Sequence, residues 1–467
     1  MEKRIIMGKK VAVIGGGISG LTTAYWLKAR GIDVRLFEKN SFVGGSIRTQ
    51  FEDGFLIEHG PNSTLETTPL IDKLLDELNI LNEKIYASRE SDKRYILRGG
   101  KIYPLPMSPG AFLSTKLFSK SAKLRLLKEP FIRSKGNAYE TIAEFTIRRL
   151  GEEFLDYAIN PFVAGVFAGD PEMINVKTAF PRLYELEQKY GSLIKGAVKS
   201  ARQRKKSKEK SKQSAKTFSF KKGMQTLTDA IYMRILESVS LNSSIKSIDL
   251  NNEYSGRHFS VKVLKDGELL IEDFDSVVIS SPSYSAAGIF ENLDAGLSEE
   301  LREIYYPPVN VVYTGFNQSK ISHKLDGFGY LIPEQEKRKI LGSLWSSALF
   351  PGRAPEGYCA LTSFVGGARS PKLTEMDDKD LLKVTLNELD SVLGVKGEPD
   401  YVNIIRWAKA IPQYNNHYTD LYESIENFQN KFKGVFICNN FYKGIAVGDC
   451  VKNADATVSE VIKFLNN

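Results

Sequence analysis

Cysteine and histidine are scarce in this 467-residue sequence, which holds three cysteines, Cys359, Cys438 and Cys450, and four histidines, His59, His258, His323 and His417. No two cysteines form a C-x-x-C pair and no two histidines share a short ligand spacing, so neither a disulfide framework nor a metal centre is expected. So few thiols fit a reducing cytoplasm. Also lacking is any run of about 20 apolar residues, so no segment is expected to span a membrane. From Met1 to Lys10 there is no long apolar stretch with a cleavage site, and no secretory signal is expected. With 42% hydrophobic, 26% charged and 11% aromatic residues, what remains is an enzyme-sized globular chain of several domains.

The formal net charge is +8, but it is concentrated in one place. Between Lys195 and Lys222 stand twelve Lys/Arg and one acid, Glu209, a local charge of +11 that leaves the rest of the chain at about −3. A basic face for nucleic acid is therefore not expected. The tract's core, Arg202 to Lys212, has almost nothing to bury, so it reads either as a solvated linker or as an electrostatic contact with anionic lipid. Ala111 to Lys135 carries apolar residues such as Phe112, Leu113, Leu124 and Phe131 among seven basic residues and one acid. It reads as amphipathic, either packed on the domain below it or lying at a membrane interface or over an apolar substrate.

Chemistry enters at the N-terminus. Lys10-Val-Ala-Val-Ile14 has strand composition and runs into Gly15-Gly16-Gly17-Ile18-Ser19-Gly20, a G-x-G-x-x-G loop. Leu21, Ala24 and Leu27 recur at helical spacing up to Gly31, and Val34 to Phe37 supplies a second strand ending at Glu38. In such a unit the glycines allow a tight turn and close approach of the backbone to a pyrophosphate, with the helix N-terminus facing the anion. An acid at the end of the second strand accepts bonds from a ribose and repels a 2′-phosphate, which favours FAD or NAD over NADP. The residues leave FAD and NAD open at this point.

Shortly after Glu38 come Gly44-Gly45-Ser-Ile-Arg48 and then Glu58-His-Gly60-Pro61-Asn62-Ser63. This arrangement resembles the FAD-containing amine oxidase and protoporphyrinogen oxidase superfamily, in which the glycine pair and arginine lie beside the flavin and its phosphates. The chain end agrees, with Gly434 to Cys438 reading as a strand and Gly444-Ile-Ala-Val-Gly-Asp-Cys450 leading into an amphipathic helix from Val451 to Leu465. The middle of the chain, through Thr141 to Gly151, Asn160-Pro-Phe-Val-Ala-Gly-Val-Phe-Ala-Gly-Asp-Pro171, Leu186-Glu187, Gly191-Ser192, Gly327 to Leu331, Leu341 to Leu344 and Ser363-Phe-Val-Gly-Gly367, is similar to the oxygen-dependent protoporphyrinogen oxidases.

That resemblance implies non-covalent FAD held by Gly15, Gly16, Gly17, Ile18, Ser19, Gly20, Glu38, Lys39, Gly45, Arg48, Gly60, Pro61, Asn62, Ser63, Ile245, Trp407, Ile445, Ala446 and Val447. On the substrate side it implies Arg94 as the anchor for a porphyrin propionate, with Arg98 as a rival. Leu331, Leu344 and Phe364 would sandwich the macrocycle, and Gly165 would let the ring approach. The implied activity is oxidation of protoporphyrinogen IX to protoporphyrin IX by flavin and molecular oxygen, with peroxide as by-product and no side-chain acid or base named. Coproporphyrinogen III is the alternative substrate. An amine oxidase is a weaker one, because polyamine-oxidising members carry a lysine in the strand near the flavin and Pro307 to Phe316 has none.

The expected fold class is α/β, α+β overall. Residues 1–88, 223–282 and 402–467 would form a discontinuous FAD-binding domain with a Rossmann-like βαβ core. Residues 89–104 and 283–401 would form a mixed-sheet substrate domain, and 105–222 a helical lobe whose association with membrane is left open. The expected location is cytoplasmic, with peripheral attachment to the cell membrane and a homodimer both left open.

Overall fold

The computed structural model describes residues 8–88, 92–204, 215–250 and 258–466. Residues 205–214, most of the core of the basic tract, lie outside the described residues, and so does the reading placed on them.

Two sheets organise the molecule. The first is parallel and five-stranded, in the order Val239–Ser240, Asp33–Phe37, Lys10–Ile14, Ser276–Ile279, Val435–Ile437. Val11 to Ile14 and Val277 to Ile279 are all buried because both faces are covered, one by helices and the other largely by the antiparallel strands Ser243–Leu250, Phe259–Lys265 and Glu268–Phe274. The helix Ile18–Lys28 follows the glycine loop and packs on the C-terminal helix Val447–Leu465. That last helix starts four residues before the expected Val451. Val447, Cys450, Val451 and Ala454 make one buried stripe, and Asp449 in the first turn complements the helix dipole.

The second sheet has seven strands in the order Tyr401–Trp407, Val309–Asn317, Tyr358–Gly366, Gly342–Leu344, Gly329–Leu331, Arg94–Arg98, Lys101–Pro104. Only Gly329–Leu331 and Arg94–Arg98 run parallel within it. One face is sealed, since Tyr95, Val312, Tyr330, Leu361 and Val365 form a core with Leu381, Leu389 and Leu393 of the helix Asp378–Leu393. Alternation of side chains then sends the odd partners of those residues to the other face.

The stretch from Pro109 to Arg204 is helical. Ala111 to Lys135 is not one helix but two, Pro109–Ser114 and Lys120–Leu127, followed by a 3-10 turn at Glu129–Phe131. Ser108 and Ser119 each start a new helix by accepting the amide three residues on, from Ala111 and Ala122. Inside the lobe lies a charged core. Arg149 is fully buried, hydrogen-bonded to Glu187 and to the Gly191 carbonyl, while Arg148 bonds Glu140 at 2.7 Å and Glu187 at 2.6 Å. Glu129 accepts Ser192 Oγ at 2.6 Å and the Leu193 amide. Removing one member would leave a buried charge unpaired, at a cost of about 3–5 kcal/mol.

The strand Thr217–Phe220 pairs with Thr64–Leu65 and Lys84–Tyr86, so the chain after the basic tract returns at once to the nucleotide end. Among the described residues, no helix is long and apolar enough to cross a membrane.

Candidate active site

The glycine loop is shaped by contacts that tolerate no side chain. A Cβ on Gly20 would lie 1.9 Å from the Gly15 carbonyl oxygen. Gly17 instead faces open space and, as N-cap of the helix Ile18–Lys28, brings no side-chain cap. The helix amides at Ile18, Ser19 and Gly20 are therefore presented with the positive end of the dipole toward that space. Beside the loop, Ser280 Oγ and Ser281 Oγ are buried without a partner. Glu38 is buried at the end of the second strand, where Oε2 accepts the Gly16 amide at 2.7 Å and Oε1 the Asn40 amide at 2.9 Å. Exposed Lys39 follows it.

The second glycine pair closes over the first. The Gly44 amide donates to Gly16 O at 2.8 Å, Gly44 bridges to Gly17, and a Cβ on Gly45 would stand 3.4 Å from Gly17 Cα. Ile245 sits at a bulge two residues past Ser243, whose amide donates to the Glu38 carbonyl, so it belongs to the Glu38 end.

At the other end, a Cβ on Gly60 would lie 2.2 Å from Ser46 O, which ties Gly60-Pro61-Asn62-Ser63 to the Gly45–Arg48 turn. The Arg48 carbonyl accepts the His59 amide, and its guanidinium lies 4.2 Å over the Phe42 ring. Trp407 Nε1 donates to the His59 carbonyl at 2.8 Å. The C-terminal helix begins against Thr67, Gly448 lying beside it, and its N-cap Ala446 supplies no side-chain cap. Contacts link Glu38, Gly16, Gly17, Gly44, Gly45, Gly60 and Trp407 in turn into one track, and Ile445, Ala446 and Val447 lead into the helix that packs on Ile18–Lys28. Two uncapped helix N-termini, two unpartnered buried hydroxyls and a fixed carboxylate are the donors and acceptors a dinucleotide's diphosphate and ribose require. The residues present fit the group. Burial pushes the Cys450 thiol up to about 12, so it is neutral beside this track.

The substrate-side residues meet on the other face of the seven-stranded sheet, which the helical lobe covers at Ile96, buried against Leu117 and Phe118. Strand register puts Arg94, Gly329, Leu344 and Thr362 in one row and Ile96, Leu331, Gly342 and Phe364 in the next, with Trp407 on the same face at the far edge. From the Trp407 strand to the Arg94 strand is five steps, about 24 Å at 4.8 Å each. A Cβ on Gly165 would lie 2.5 Å from Leu331 Cδ2, so the helix Asn160–Phe167 presses its bare position onto this face. Arg94 is exposed and rests 5.3 Å over the Phe328 ring. Among the described residues it has no hydrogen-bonded carboxylate, while Asp92 acts on it at longer range. Arg98, by contrast, is ion-paired to Glu153.

Sequence reading missed Phe328, although it stands inside the Gly327-Phe-Gly-Tyr motif, and Phe162 and Val166, which flank Gly165 on its helix and are exposed. It also missed Glu58, buried one residue before His59. Glu58 Oε2 accepts Thr49 Oγ1 at 2.7 Å and Oε1 accepts the Met224 amide at 2.8 Å. Burial pushes its carboxyl up to about 7 from 4.5. A raised carboxylate pKa means the folded state holds the proton more tightly, so this contribution is complete below the unfolded value and is lost as pH rises through 7, roughly 3 kcal/mol in all. Glu58→Gln keeps the bond from the Met224 amide at its oxygen and reverses the other, its NH2 donating to Thr49 Oγ1. It is expected to raise the thermal midpoint at pH 8.5 and flatten the wild-type decline from pH 6 upward, and parallel curves would contradict this.

Comparison with known proteins decides the family. The family model described as flavin containing amine oxidoreductase matches residues 18–462. The chain belongs to that family. Its cofactor is FAD, and the protein is an FAD-dependent oxidoreductase. Among family members, the chain is 34% identical to protoporphyrinogen oxidase 2 of Arabidopsis thaliana over 99% of this chain and 95% of that protein. It is 29% identical to coproporphyrinogen III oxidase of Bacillus subtilis (strain 168) over 98% and 99%. A crystal structure from Exiguobacterium sp. 255-15 superposes with a TM-score of 0.80 at 22% identity, covering 98% of this chain and 99% of that one, and establishes the shared fold.

Proposed function

We propose that the protein oxidises protoporphyrinogen IX to protoporphyrin IX in haem and porphyrin biosynthesis, using molecular oxygen and releasing hydrogen peroxide. The observation that carries this reading is the sheet face that sets Arg94, a cation with no hydrogen-bonded carboxylate among the described residues, on the same side as the apolar side chains of Leu331, Leu344 and Phe364. Its likeness to a relative named protoporphyrinogen oxidase along its whole length supports it.

When bound, FAD supplies a two-electron acceptor for the hydride that leaves a bridging carbon of the macrocycle. Arg94 binds a propionate through the two-pronged geometry that guanidinium and carboxylate share, with Phe328 holding its plane. Leu331, Leu344 and Phe364 give the ring apolar contact and keep water from the reacting carbon. Gly165 lets the macrocycle approach where any side chain would strike Leu331. Trp407 holds the His59–Gly60 backbone in place. Each round removes two electrons and two protons, which oxygen takes as peroxide, and three rounds give the aromatic porphyrin. Aromatisation drives the reaction, so orientation is the protein's main task and no side chain is assigned as acid or base.

Coproporphyrinogen III is the second reading, favoured by the relatives of that name. An amine substrate is disfavoured because the strand Val309–Asn317 has no lysine. Side-by-side aerobic assays of the two porphyrinogens, following porphyrin fluorescence and peroxide, test the reading. A clear protoporphyrinogen preference is expected, and turnover of neither by the flavin-loaded protein would overturn it.

The helical lobe belongs to this reading as a peripheral membrane contact. Leu113, Leu124, Leu127 and Phe131 are exposed among Lys116, Lys120, Lys123 and Lys128, and Lys195 stands 5.8 Å over the Phe131 ring. Apolar insertion flanked by cations suits an anionic lipid surface. The protein is expected to sediment with phosphatidylglycerol vesicles and to stay in the supernatant when Leu127 and Phe131 are both changed to Glu. Equal sedimentation of both forms would refute the contact.

A further inference from the structure

The helix that bears Gly165 does not continue smoothly from the residues before it. Pro161 has no amide to give and its ring crowds the carbonyl four residues back, so the chain from Glu152–Phe154 opens into a single π turn at Leu155–Ile159 before Asn160–Phe167 begins. The direction of this helix is therefore set by bonds at its two ends and not by the helix before it.

At its start the Asn160 side chain is buried and held by two partners. Its Oδ1 accepts the Glu334 amide at 3.0 Å and Arg369 Nη1 at 2.8 Å, while its Nδ2 donates to Glu334 Oε2 at 3.2 Å. Arg369 donates Nη2 to the Ile332 carbonyl at 3.2 Å as well. Ile332, Pro333 and Glu334 are the residues by which the chain leaves the strand Gly329–Leu331, so the clasp grips the segment directly after Leu331. Ala368 and Arg369 in turn follow the strand Tyr358–Gly366 that carries Phe364, and the Ala368 amide donates to the Ala168 carbonyl at 2.7 Å, just past the helix. Buried Gln413 completes that end by donating Nε2 to the Phe167 carbonyl at 2.8 Å. Between the two ends Gly165 lies against Leu331, and Ala164 and Ala168 pack with Val309, Leu341 and Phe364.

We propose that Asn160, gripped by Arg369 and Glu334, is a positioning residue for hydride loss: it fixes the Gly165 helix relative to Leu331 and Phe364, and with it the orientation of the bound macrocycle. The inference rests on the porphyrinogen reading above. Among the described residues no carboxylate is hydrogen-bonded to Arg369, and Glu334 and Asp170 act on it at longer range, so the Asn160 oxygen and the Ile332 carbonyl hold its guanidinium. Loss of the Asn160 amide leaves an Arg369 nitrogen and the Glu334 amide without that acceptor, and the helix loses its fixed start. A misplacement of about 1 Å at a reacting centre can cost roughly a hundredfold in rate. The propionate anchor at Arg94 is untouched, so the effect falls on the rate at saturation and not on affinity.

Stopped-flow mixing of flavin-loaded protein with protoporphyrinogen IX in the absence of oxygen reads how fast the flavin band bleaches, and admission of oxygen reads its return. Asn160→Leu keeps the shape of the side chain without its polar atoms. It is expected to slow bleaching at saturating substrate roughly tenfold, with the half-saturating concentration within about twofold of wild type and the return in oxygen unchanged. Asn160→Asp keeps both acceptors, toward Arg369 and the Glu334 amide, and is expected to recover most of the rate. Arg369→Gln leaves Asn160 in place and is expected to slow bleaching roughly threefold, which keeps the test open if Asn160→Leu does not fold. Amide hydrogen exchange over residues 160–168, measured without substrate, is expected to quicken in Asn160→Leu and Arg369→Gln and not in Asn160→Asp. Bleaching at the wild-type rate in the folded variants, a loss confined to weaker substrate binding, or unchanged exchange overturns the proposal while leaving porphyrinogen oxidation standing. Wild-type protein whose flavin bleaches with neither porphyrinogen removes the underlying reading itself.

Discussion

Replacing Gly20 by alanine is expected to strip the protein of its flavin. The methyl group would sit 1.9 Å from the Gly15 carbonyl oxygen and 3.1 Å from Ser280 Cβ, so the helix Ile18–Lys28 must move away from the loop that feeds it. Its N-terminal amides then no longer converge on the space in front of Gly17, and a diphosphate there loses both its hydrogen bonds and the helix dipole. At least a hundredfold loss of FAD affinity is expected, about 2.7 kcal/mol. The flavin-to-protein ratio after gel filtration reads this directly, with far-UV circular dichroism to show that the remaining fold survives. A variant that folds and keeps stoichiometric flavin would show that the loop does not hold the diphosphate.

Arg94→Ala carries the second large effect, on substrate and not on cofactor. A charge-assisted, two-pronged bond to a propionate contributes about 2 kcal/mol, so KM for protoporphyrinogen IX should rise roughly thirtyfold. Turnover at saturation should change little, because the anchor lies at the end of the sheet face opposite Trp407 and holds the macrocycle equally before and during hydride loss. Arg94→Lys keeps the charge but loses the fork and the stacking on Phe328, and should recover only part of the loss. A fall in kcat with KM unchanged would place Arg94 in the chemical step and contradict its role as an anchor.

The nucleotide half was legible because its signals are local. Strand, glycine loop, helix, strand and acid occupy the short stretch from Lys10 to Glu38, and each residue type answers a backbone need that no neighbour elsewhere can change. The helix at the chain end was visible too, but its start was misjudged because Val447 and Gly448 look like loop until Val447 is seen to pack under the first helix. The substrate half was not legible from spacing. Arg94, Leu331, Leu344 and Phe364 come from four strands, and only register reveals that alternation sends all four to one face.

Charge partnerships were hidden for the same reason. Arg94 and Arg98 look alike in Arg-Tyr-Ile-Leu-Arg, yet one is open and the other is held by Glu153, 55 residues further along. The Arg-Arg-Leu150, Leu186-Glu187 and Gly191-Ser192 segments carried resemblance without a physical reason until Arg149 was found buried between Glu187 and the Gly191 carbonyl. Glu58 gave no signal at all, since nothing in Phe-Leu-Ile-Glu58 distinguishes a carboxylate that faces the core.

The central claim is that a porphyrinogen bound on the Arg94 face gives its hydride to the flavin. Anaerobic mixing of the flavin-loaded protein with protoporphyrinogen IX tests it most directly. The visible flavin band is expected to bleach as the porphyrinogen is consumed, and to return with stoichiometric peroxide when oxygen is admitted, the bleaching slowed at low substrate in Arg94→Ala. A flavin band that stays unchanged under porphyrinogen, in protein that has retained its FAD, would contradict the account.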